Sequence, residues 1–569
     1  MAVATEWLRT LATIAVGIAS LLLVCWLLLK RTTRAKDAAH AALVAQLPGD
    51  ASDRGKFHAT REASFVPLVE KHGRTFAYHV DEVGNFGTMR GKTMVATCDP
   101  KLVREILSKR VHTEHRPEQY RLARFLPGLD GVLFQEGEVW EKHTRALFPL
   151  FQGKHFGTLG GELRQIAARS IATWGSADRR RSTGDGPTDV LPLLHEIVTQ
   201  CIVRVGFGLA PESTTGVKIA EALTTFMETE HALRVSGFEQ MSACARITAF
   251  AQAFRWFSRD FKHVRGAVQP VLELAAAIES CAASGSVRSE GWIQLMQIAR
   301  IDEAAIASEV NHLHDAHKAL AVVLTFALYR LARPGAAPWA ALMRRERAAA
   351  LASCADGPTG FTRVELAKLP VTRAVFREVL RMHTISMGVV RTTGAAVKAR
   401  VGKGAAERDV TVPKGTDVLL LLHALHHLPT LWDCPLTFDP ARWLTIDGAP
   451  CTAAAIAALT EEAEDAGEER SAAAAAAAAA GRGGALEVVG PHTKWTWFPF
   501  LDGKRQCAGR MLAEFEFTIV LHEVLDAFDV EEALAPLDFE LRLAPDFYPV
   551  PEAPVRLHLR QRRAHSGGP

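Results

Sequence analysis

The stretch TWFPFLDGKRQCAGRMLAEFEF, residues 496–517, decides the fold of this 569-residue chain. Five residues stand in it at the spacing F-x-x-G-x-R-x-C-x-G: Phe500, Gly503, Arg505, Cys507 and Gly509. An apolar run from Met511 onward predicts a helix directly after them. A turn with glycines lets backbone N–H groups approach a sulfur, and the N-terminus of a helix favours a negative charge. The spacing therefore predicts that Cys507 is a metal ligand, rather than a core cysteine beside a turn.

These five residues resemble the haem-binding loop of the cytochrome P450 family, whose iron takes an axial cysteine thiolate. The resemblance implies that haem b binds here, with its iron on Cys507 and a haem carboxylate against Arg505. It further implies that Phe500 screens the sulfur from water and that Gly503 and Gly509 shape the loop.

The fold class follows from the patterns along the rest of the chain. Helical periodicity dominates, and β-type runs are short and few: residues 75–80, 93–97, 409–413 and 417–422. We therefore expect a mainly α protein with small β-sheets. That is also the fold which the resemblance to the P450 family implies.

A second match to the family lies about 120 residues earlier. In FREVLRMH (376–383), Glu378 and Arg381 have the E-x-x-R spacing, which places both on one helix face. In FDPARW, Arg442 matches the arginine that completes a three-residue structural network. Arg391 stands where the family often places another contact to a haem carboxylate.

A third match, GEVWEKHTRALFPLF (137–151), resembles the family helix with the pattern W-x-x-x-R. Trp140 fits this pattern, but Thr144 occupies the arginine position. We expect His143 to take over the contact to a haem carboxylate, with Arg145 as a second candidate. The alternative is a plain amphipathic helix whose basic residues are solvated.

The long central helix departs from the family pattern. TFALYRLARPG (325–335) resembles its carboxyl end, and counting back puts Lys318 at the position of an acid and Ala319 at that of a threonine. In the family, that acid and that threonine relay protons to iron-bound dioxygen. We expect four residues to carry the distal chemistry: His314, His317, Lys318 and Ala319. Two alternatives are that they only contact water or neighbouring helices, or that Asp315 is the acid in an alignment shifted by one turn.

The amino-terminal segment LATIAVGIASLLLVCWLLL, residues 11–29, contains no formal charge. As a helix it would measure about 28 Å, close to the thickness of a bilayer's hydrocarbon core. Four basic residues follow it: Lys30, Arg31, Arg34 and Lys36. The positive-inside rule places the remainder of the chain in the cytosol. We expect an uncleaved single-pass anchor in the endoplasmic reticulum, the alternatives being a cleavable signal peptide or a buried core helix.

Composition and charge limit the domain organisation and the function. With 66 basic and 63 acidic residues, the chain is too balanced for a dedicated nucleic-acid binder, and its nine cysteines contain no C-x-x-C pair. Alanine-rich residues 446–489 indicate a low-complexity insertion. The expected regions are a short non-cytosolic terminus (1–10), the anchor (11–29), a basic flank and linker (30–56) and one haem domain (57–569) that contains the insertion.

The resemblance implies a monooxygenase that inserts one oxygen atom from O2 into a lipophilic substrate. Electrons would come from NADPH through a separate NADPH–cytochrome P450 reductase or another donor, since no flavin- or nicotinamide-binding segment is evident. Lys318 and Ala319 leave a second hypothesis open, a hydroperoxide isomerase or dehydratase on the same fold. A third is a haem-binding protein without enzymatic activity.

Overall fold

The computed structural model describes a large, discontinuous part of the chain, and the statements below concern that part. The described residues are 38–49, 55–56, 65–82, 93–109, 111, 131–152, 159–174, 186–224, 300–352, 369–459, 486–490, 495–532, 541–543, 549–551 and 554–562, with single-residue gaps at 134, 222, 302 and 453. The predicted anchor, 11–29, lies outside them.

Helices form most of the described structure. In chain order they are α1 (Val66–His72), α2 (Pro100–Ser108), α3 (Gly137–Leu147), α4 (Gly160–Ala172), α5 (Val190–Phe207), α6 (Glu303–Leu331), α7 (Ala337–Ala352), α8 (Pro370–Met382), α9 (Leu422–His427) and α10 (Arg510–Ala527). Two of them begin at capping aspartates: the side chain of Asp99 accepts from the N–H of Leu102 in α2, and that of Asp189 accepts from the N–H of Leu191 in α5.

The strands are short and form several small sheets. They are β1 (Gly55–Lys56), β2 (Thr75–Glu82), β3 (Thr93–Thr97), β4 (Thr188–Asp189), β5 (Val389–Thr392), β6 (Val397–Val401), β7 (Arg408–Val412), β8 (Asp417–Leu420), β9 (Leu444–Ile446), β10 (Ala449–Pro450), β11 (Leu486–Val488), β12 (Phe528–Glu532), β13 (Leu541–Leu543), β14 (Pro549–Pro551) and β15 (Arg556–Gln561). The largest sheet has the order β1-β2-β3-β8-β5. The predicted fold class, mainly α with small β-sheets, is confirmed.

Two hydrophobic clusters divide the core. The larger is built by α4 to α8 and α10, and the smaller lies between α2, α9 and the five-stranded sheet. Helix α6 packs against α5, α8 and α10, and α10 packs against α4. The helical core thus holds the central helix over the helix that follows Cys507.

Helix α5 is long and apolar enough to cross a membrane. Within the described ranges no other single helix has that length and composition, and α6 and α7 have them only together, as a pair bent by 97°. However, 72% of α5 is buried inside the protein, against α4 and α6. We therefore assign α5 to the core.

Parts of the expected low-complexity insertion, 446–489, pack against the rest of the protein. Strands β10 and β11, near its two ends, both pair with β9, and Ile456 is 6% exposed within the larger core cluster. The sequence did not indicate this packing, because the many alanines of the segment show no apolar pattern and the few larger apolar residues are widely spaced. Residues 461–485 lie outside the described residues.

Six histidines of the described structure have lowered pKa values: His195, His383, His423, His426, His427 and His522. Burial is the main cause at each, and it lowers the pKa of His195 and of His423 to about 4. Burial acts in the opposite sense on two acids, since it raises the pKa values of Glu346 and Glu516 to about 8. These groups make the stability of the fold depend on pH.

We expect the free energy of unfolding to fall as the pH is lowered from about 6.5 toward 4. The pKa values of the six histidines are lowered in the folded state. Their contribution to the free energy of unfolding is therefore complete above pH 6.5, and it is lost at lower pH as protons bind the histidines of the unfolded chain. Glu346 and Glu516 oppose this trend, because their folded pKa values are raised and their contribution is lost as the pH rises. Urea unfolding followed at several pH values measures the slope.

The variant His423→Phe tests the contribution of one histidine. The imidazole of His423 stacks on that of His427 at 4.0 Å between centroids, and phenylalanine keeps a ring in this place without a titrating group. We expect this variant to reduce the slope by up to about 1.4 kcal/mol per pH unit. A slope equal to that of the wild-type chain would contradict the assignment of His423 as a neutral buried group.

Candidate active site

Cys507 lies between a short 3-10 turn, Gly503–Arg505, and the start of α10. Its N–H donates to the carbonyl oxygen of Phe500 at 2.8 Å, which closes the loop. Burial raises the pKa of the Cys507 thiol, while hydrogen bonds from the N–H groups of Gly509 and Arg510 lower it, as does the charge of Arg510. The sulfur therefore sits where the N-terminus of α10 stabilises an anion.

The side chain of Cys507 has accessible surface although it lies deep in the protein. Cys507 is a free cysteine with an exposed surface, yet burial is the largest cause of the raised pKa of its thiol. Both observations hold if the accessible surface faces a concavity inside the protein. At Gly509, an added Cβ would lie 3.8 Å from the sulfur and 3.8 Å from the ring of Phe151. A side chain at position 509 would therefore occupy space beside the sulfur.

Gly503 is required for a reason that the sequence did not suggest, its close approach to the backbone of another segment. Its φ is +71°, and an added Cβ would lie 2.4 Å from the carbonyl oxygen of Leu107 and 2.8 Å from Cα of Ser108. The residue is thus required by close contact with the end of α2. The sequence could not show this, because α2 lies far from Gly503 along the chain.

Arg505 and Trp140 were predicted from separate segments, and the structure brings them together. The guanidinium of Arg505 lies 3.9 Å from the centroid of the Trp140 ring. Its Nη2 donates to the carbonyl oxygen of Gln135 at 2.9 Å, and its Nη1 to that of Val132 at 3.5 Å. Because Arg505 is only 8% exposed, these contacts tie the cysteine loop to the segment before α3.

His143 lies on α3 and is paired with an acid that sequence reasoning missed. Its Nδ1 is 2.6 Å from Oε1 of Glu309, on α6, and the two residues are 5% and 1% exposed. The same Oε1 accepts from the N–H of Val132 at 2.8 Å. The signal in the sequence is a single acid within the apolar run AAIASEV (304–310).

Glu378, Arg381 and Arg442 form the network that the E-x-x-R pattern predicted. Both carboxylate oxygens of Glu378 accept from Arg381, at 2.8 and 2.9 Å, and Oε1 also accepts from Nε of Arg442 at 3.1 Å. Two further donors were not foreseen: the indole N–H of Trp443 at 2.9 Å and the N–H of Asp439 at 3.0 Å. The buried carboxylate therefore accepts five hydrogen bonds.

The guanidinium of Arg381 uses all five of its N–H donors. Beside the two bonds to Glu378, it donates to carbonyl oxygens of three loop residues: His426, Pro435 and Thr437. The imidazole of His426 in turn accepts from the N–H of Phe498 at 3.0 Å, and its Nδ1 is 2.8 Å from the hydroxyl of Thr384. This chain of bonds connects α8 to the segment that leads into the cysteine loop.

Comparisons with known proteins identify the family. The sequence model described as Cytochrome P450 matches residues 83–543, which is most of the chain. The chain belongs to the cytochrome P450 family. It is similar to mouse mitochondrial 25-hydroxyvitamin D-1 alpha hydroxylase (25% identity, 79% of both chains) and human cytochrome P450 4A11 (23% identity, 83% of this chain and 80% of the relative). It is also similar to soybean chloroplastic cytochrome P450 97B2 (22% identity, 79% of this chain and 76% of the relative).

P450 proteins bind haem through a cysteine thiolate to the iron, and this P450 is a haem monooxygenase at the level of the family. Its residues fit that group. The accessible surface of Cys507, the N–H donors to its sulfur and the lack of a side chain at Gly509, 3.8 Å from that sulfur, suit an iron ligand. On α3, the buried hydroxyl of Thr144 has no hydrogen-bond partner, at the position where the family pattern has its arginine.

Other predicted cofactor residues of this P450 occupy different environments. Arg391, on β5, is 2% exposed, and its Nη1 donates to the carbonyl oxygen of Val390 at 3.0 Å. The ring of Phe500 packs near that of Phe376, at 6.1 Å between centroids.

Arg145 does not lie where a contact to a haem carboxylate would require it. Its side chain is 80% exposed and lies 3.9 Å from Glu141, one turn earlier. Five residues after Trp140, Arg145 falls on the outer face of α3, away from His143.

On the central helix, the structure describes some of the predicted distal residues. The side chain of Lys318 is 7% exposed, and its charge contributes to the lowered pKa of His195, on α5. Ala319 is partly exposed and carries no polar group. The side chains of His314 and His317 lie outside the described residues. Lys318 is thus placed toward α5.

We expect Glu378→Gln to destabilise the protein by about 3–5 kcal/mol, because it leaves the buried guanidinium of Arg381 without its anion. Trp443→Phe should cost about 1.5–3 kcal/mol, since it removes one hydrogen bond to a charged group. Both values are measured by urea unfolding.

The matched control is Arg560→Gln. Arg560 lies 3.0 Å from Glu531 in a pair whose side chains are 72% and 45% exposed. Its loss should change the free energy of unfolding by no more than about 1 kcal/mol. Equal effects of Glu378→Gln and Arg560→Gln would show that the buried network is not the stabilising element.

Proposed function

We propose that this P450 is a membrane-anchored monooxygenase that inserts one oxygen atom from O2 into a lipophilic substrate, with electrons from NADPH through a separate reductase. The observation that carries the proposal is the environment of Cys507. Its sulfur accepts hydrogen bonds from the N–H groups of Gly509 and Arg510, and the residue keeps accessible surface. A thiolate in that environment would hold the haem iron and supply the electron density that this chemistry requires.

Haem supplies the binding and activation of O2, and the chain supplies the surroundings. Cys507 would hold the iron, and the ring of Phe500 would limit access of water to the sulfur. Arg505 and Arg391 would balance the charge of the haem carboxylates, since both guanidinium groups are largely buried. Glu378, Arg381 and Arg442 would have a positioning role, because Arg381 donates to the backbone of His426, whose imidazole accepts from the N–H of Phe498 shortly before the cysteine loop.

His143 would take over the remaining contact to a haem carboxylate. The arginine of the family pattern is absent at Thr144, and His143 is the buried basic side chain adjacent to it on α3. Because Nδ1 is engaged by Glu309, Nε2 is the ring nitrogen left for the haem. Trp140 would support this edge by stacking on Arg505.

A lipophilic substrate and a membrane location support each other. Residues 11–29 would anchor the chain in the endoplasmic reticulum, so that the enzyme can draw its substrate from the bilayer. Among the relatives, 25-hydroxyvitamin D-1 alpha hydroxylase is named for a lipophilic substrate. Its mitochondrial location, like the chloroplastic one of P450 97B2, belongs to that protein.

One observation favours a second candidate, a hydroperoxide isomerase or dehydratase. Ala319 offers no hydroxyl where the family pattern has a threonine, and Lys318 lies near His195. A substrate that already carries its O–O bond does not need protons relayed to bound O2. His314 and His317 are the residues that would relay protons if the enzyme is a monooxygenase.

We expect purified protein to form a thiolate-type CO complex and to turn over with reductase and NADPH. Cys507→Ala should abolish that CO spectrum, because the axial sulfur is lost, whereas Cys434→Ser, at an exposed free cysteine, should retain it. Turnover with fatty-acid hydroperoxides alone would replace the monooxygenase by the second candidate. A thiolate-type spectrum in Cys507→Ala would overturn the ligand assignment.

We expect deletion of residues 1–36 to move the protein from the alkaline-carbonate-resistant membrane fraction to the supernatant, while its CO spectrum is unchanged. The reason is that the apolar segment 11–29 would provide the membrane affinity. A matched change, the charged pair Leu21→Arg/Leu22→Arg, should act in the same direction. Persistence of both variants in the carbonate-washed membrane would contradict the anchor.

A further inference from the structure

Glu309 is a buried acid that the reaction chemistry described above does not use. It stands on α6, is 1% exposed, and its Oε1 lies 2.6 Å from Nδ1 of His143 and 2.8 Å from the N–H of Val132. Burial of a carboxylate costs several kcal/mol unless donors compensate it. Two donors from different segments converge here on one oxygen, so Glu309 joins α6 to α3 and to the loop before α3.

The peptide groups of Val132 extend this connection to the cysteine loop. The N–H of Val132 donates to Glu309, and the carbonyl oxygen of Val132 accepts from Arg505, two residues before Cys507. Arg505 also donates to Gln135 and lies over Trp140, on the helix that carries His143. The contacts therefore run from the central helix to α3 and to the cysteine loop.

We infer that Glu309 is a positioning residue of the haem site: it holds His143 and Val132, and through Val132 it holds Arg505, in the arrangement that binds the haem carboxylates. This inference rests on the proposed function, which assigns His143 and Arg505 to those carboxylates. A carboxylate on one ring nitrogen of a histidine sets the orientation of the ring and the nitrogen that remains for the other partner. With Nδ1 on Glu309, that nitrogen is Nε2.

A negative charge is suited to this position for a second reason. The hydrogen bond from an imidazole to a carboxylate is charge-assisted and roughly twice as strong as one between neutral groups. A glutamine at position 309 would still accept a hydrogen bond but would lose this assistance. The substitution therefore separates the effect of the charge from the effect of side-chain shape.

The test compares Glu309→Gln, His143→Asn and the double variant, all as full-length haem-loaded protein. The rate of haem transfer to excess apomyoglobin is measured together with urea unfolding and the haem reduction potential. We expect each single variant to accelerate haem loss about tenfold, and the double variant to accelerate it clearly less than a hundredfold, because Glu309 acts in part through His143. The reduction potential of Glu309→Gln should rise, since a buried negative charge at the site is removed.

Glu346→Gln serves as the control. Glu346 accepts from the N–H groups of Val371 and Thr372 at the start of α8, so its loss affects a buried acid outside the proposed contacts. This variant should lower stability with haem transfer and potential unchanged. Glu309→Asp keeps the charge and should lose haem more slowly than Glu309→Gln.

Three results would overturn the inference. If Glu309→Gln has the haem transfer rate and the reduction potential of the wild-type chain, Glu309 has only a structural role, whether or not the variant is less stable to urea. Strictly additive effects in the double variant would show that Glu309 does not act through His143. A wild-type chain without a thiolate-type CO complex would overturn the proposed function and this inference together, whereas the first two results leave the proposed function intact.

Discussion

The buried carboxylate of Glu378 is the constraint on which the described structure depends most. One charge without solvent access accepts five hydrogen bonds, from Arg381, Arg442, Trp443 and the backbone of Asp439. Because an uncompensated charge at this position would cost several kcal/mol, the donors must all be in place at once. The network therefore fixes α8 against the segment that leads into β9. Through Arg381 and His426 it also holds the backbone at Phe498, shortly before the cysteine loop.

At the cysteine loop, opposing effects act on one sulfur. Burial raises the pKa of Cys507, and the N–H groups at the start of α10 and the charge of Arg510 lower it. The loop can adopt this arrangement because Gly503, with a positive φ, packs directly on the carbonyl oxygen of Leu107. The contact with α2 determines the path of the backbone, and the helix N-terminus determines the electrostatics. The two requirements are met within eight residues, Gly503 to Arg510, which explains why the motif is so compact.

On the distal side, this P450 places its charged residues differently from the family pattern. Lys318, which the sequence predicted at the position of the family's acid, is buried, and its charge adds to the effect of burial in lowering the pKa of His195. The acid that contacts His143 is Glu309, more than two turns earlier on α6. The central helix thus contacts α3 through the hydrogen bond between Glu309 and His143. The absence of an arginine at Thr144 and the presence of Glu309 are consistent with each other, since the histidine beside Thr144 acquires a buried partner.

The sequence by itself determined the fold class, the cysteine loop, the E-x-x-R pair and four of the short strands, because each depends on local spacing within one segment. Arg442 followed from the resemblance to the family. Only the tertiary structure decided the partners: Glu309 for His143, Trp443 for Glu378, Trp140 for Arg505 and α2 for Gly503. It also moved Arg145 to the outer face of α3 and assigned the ends of residues 446–489 to a sheet. The physical reason is the same in each case. A hydrogen bond or a packing contact between distant segments requires both backbones to be in place, and spacing along one segment carries no information about the other.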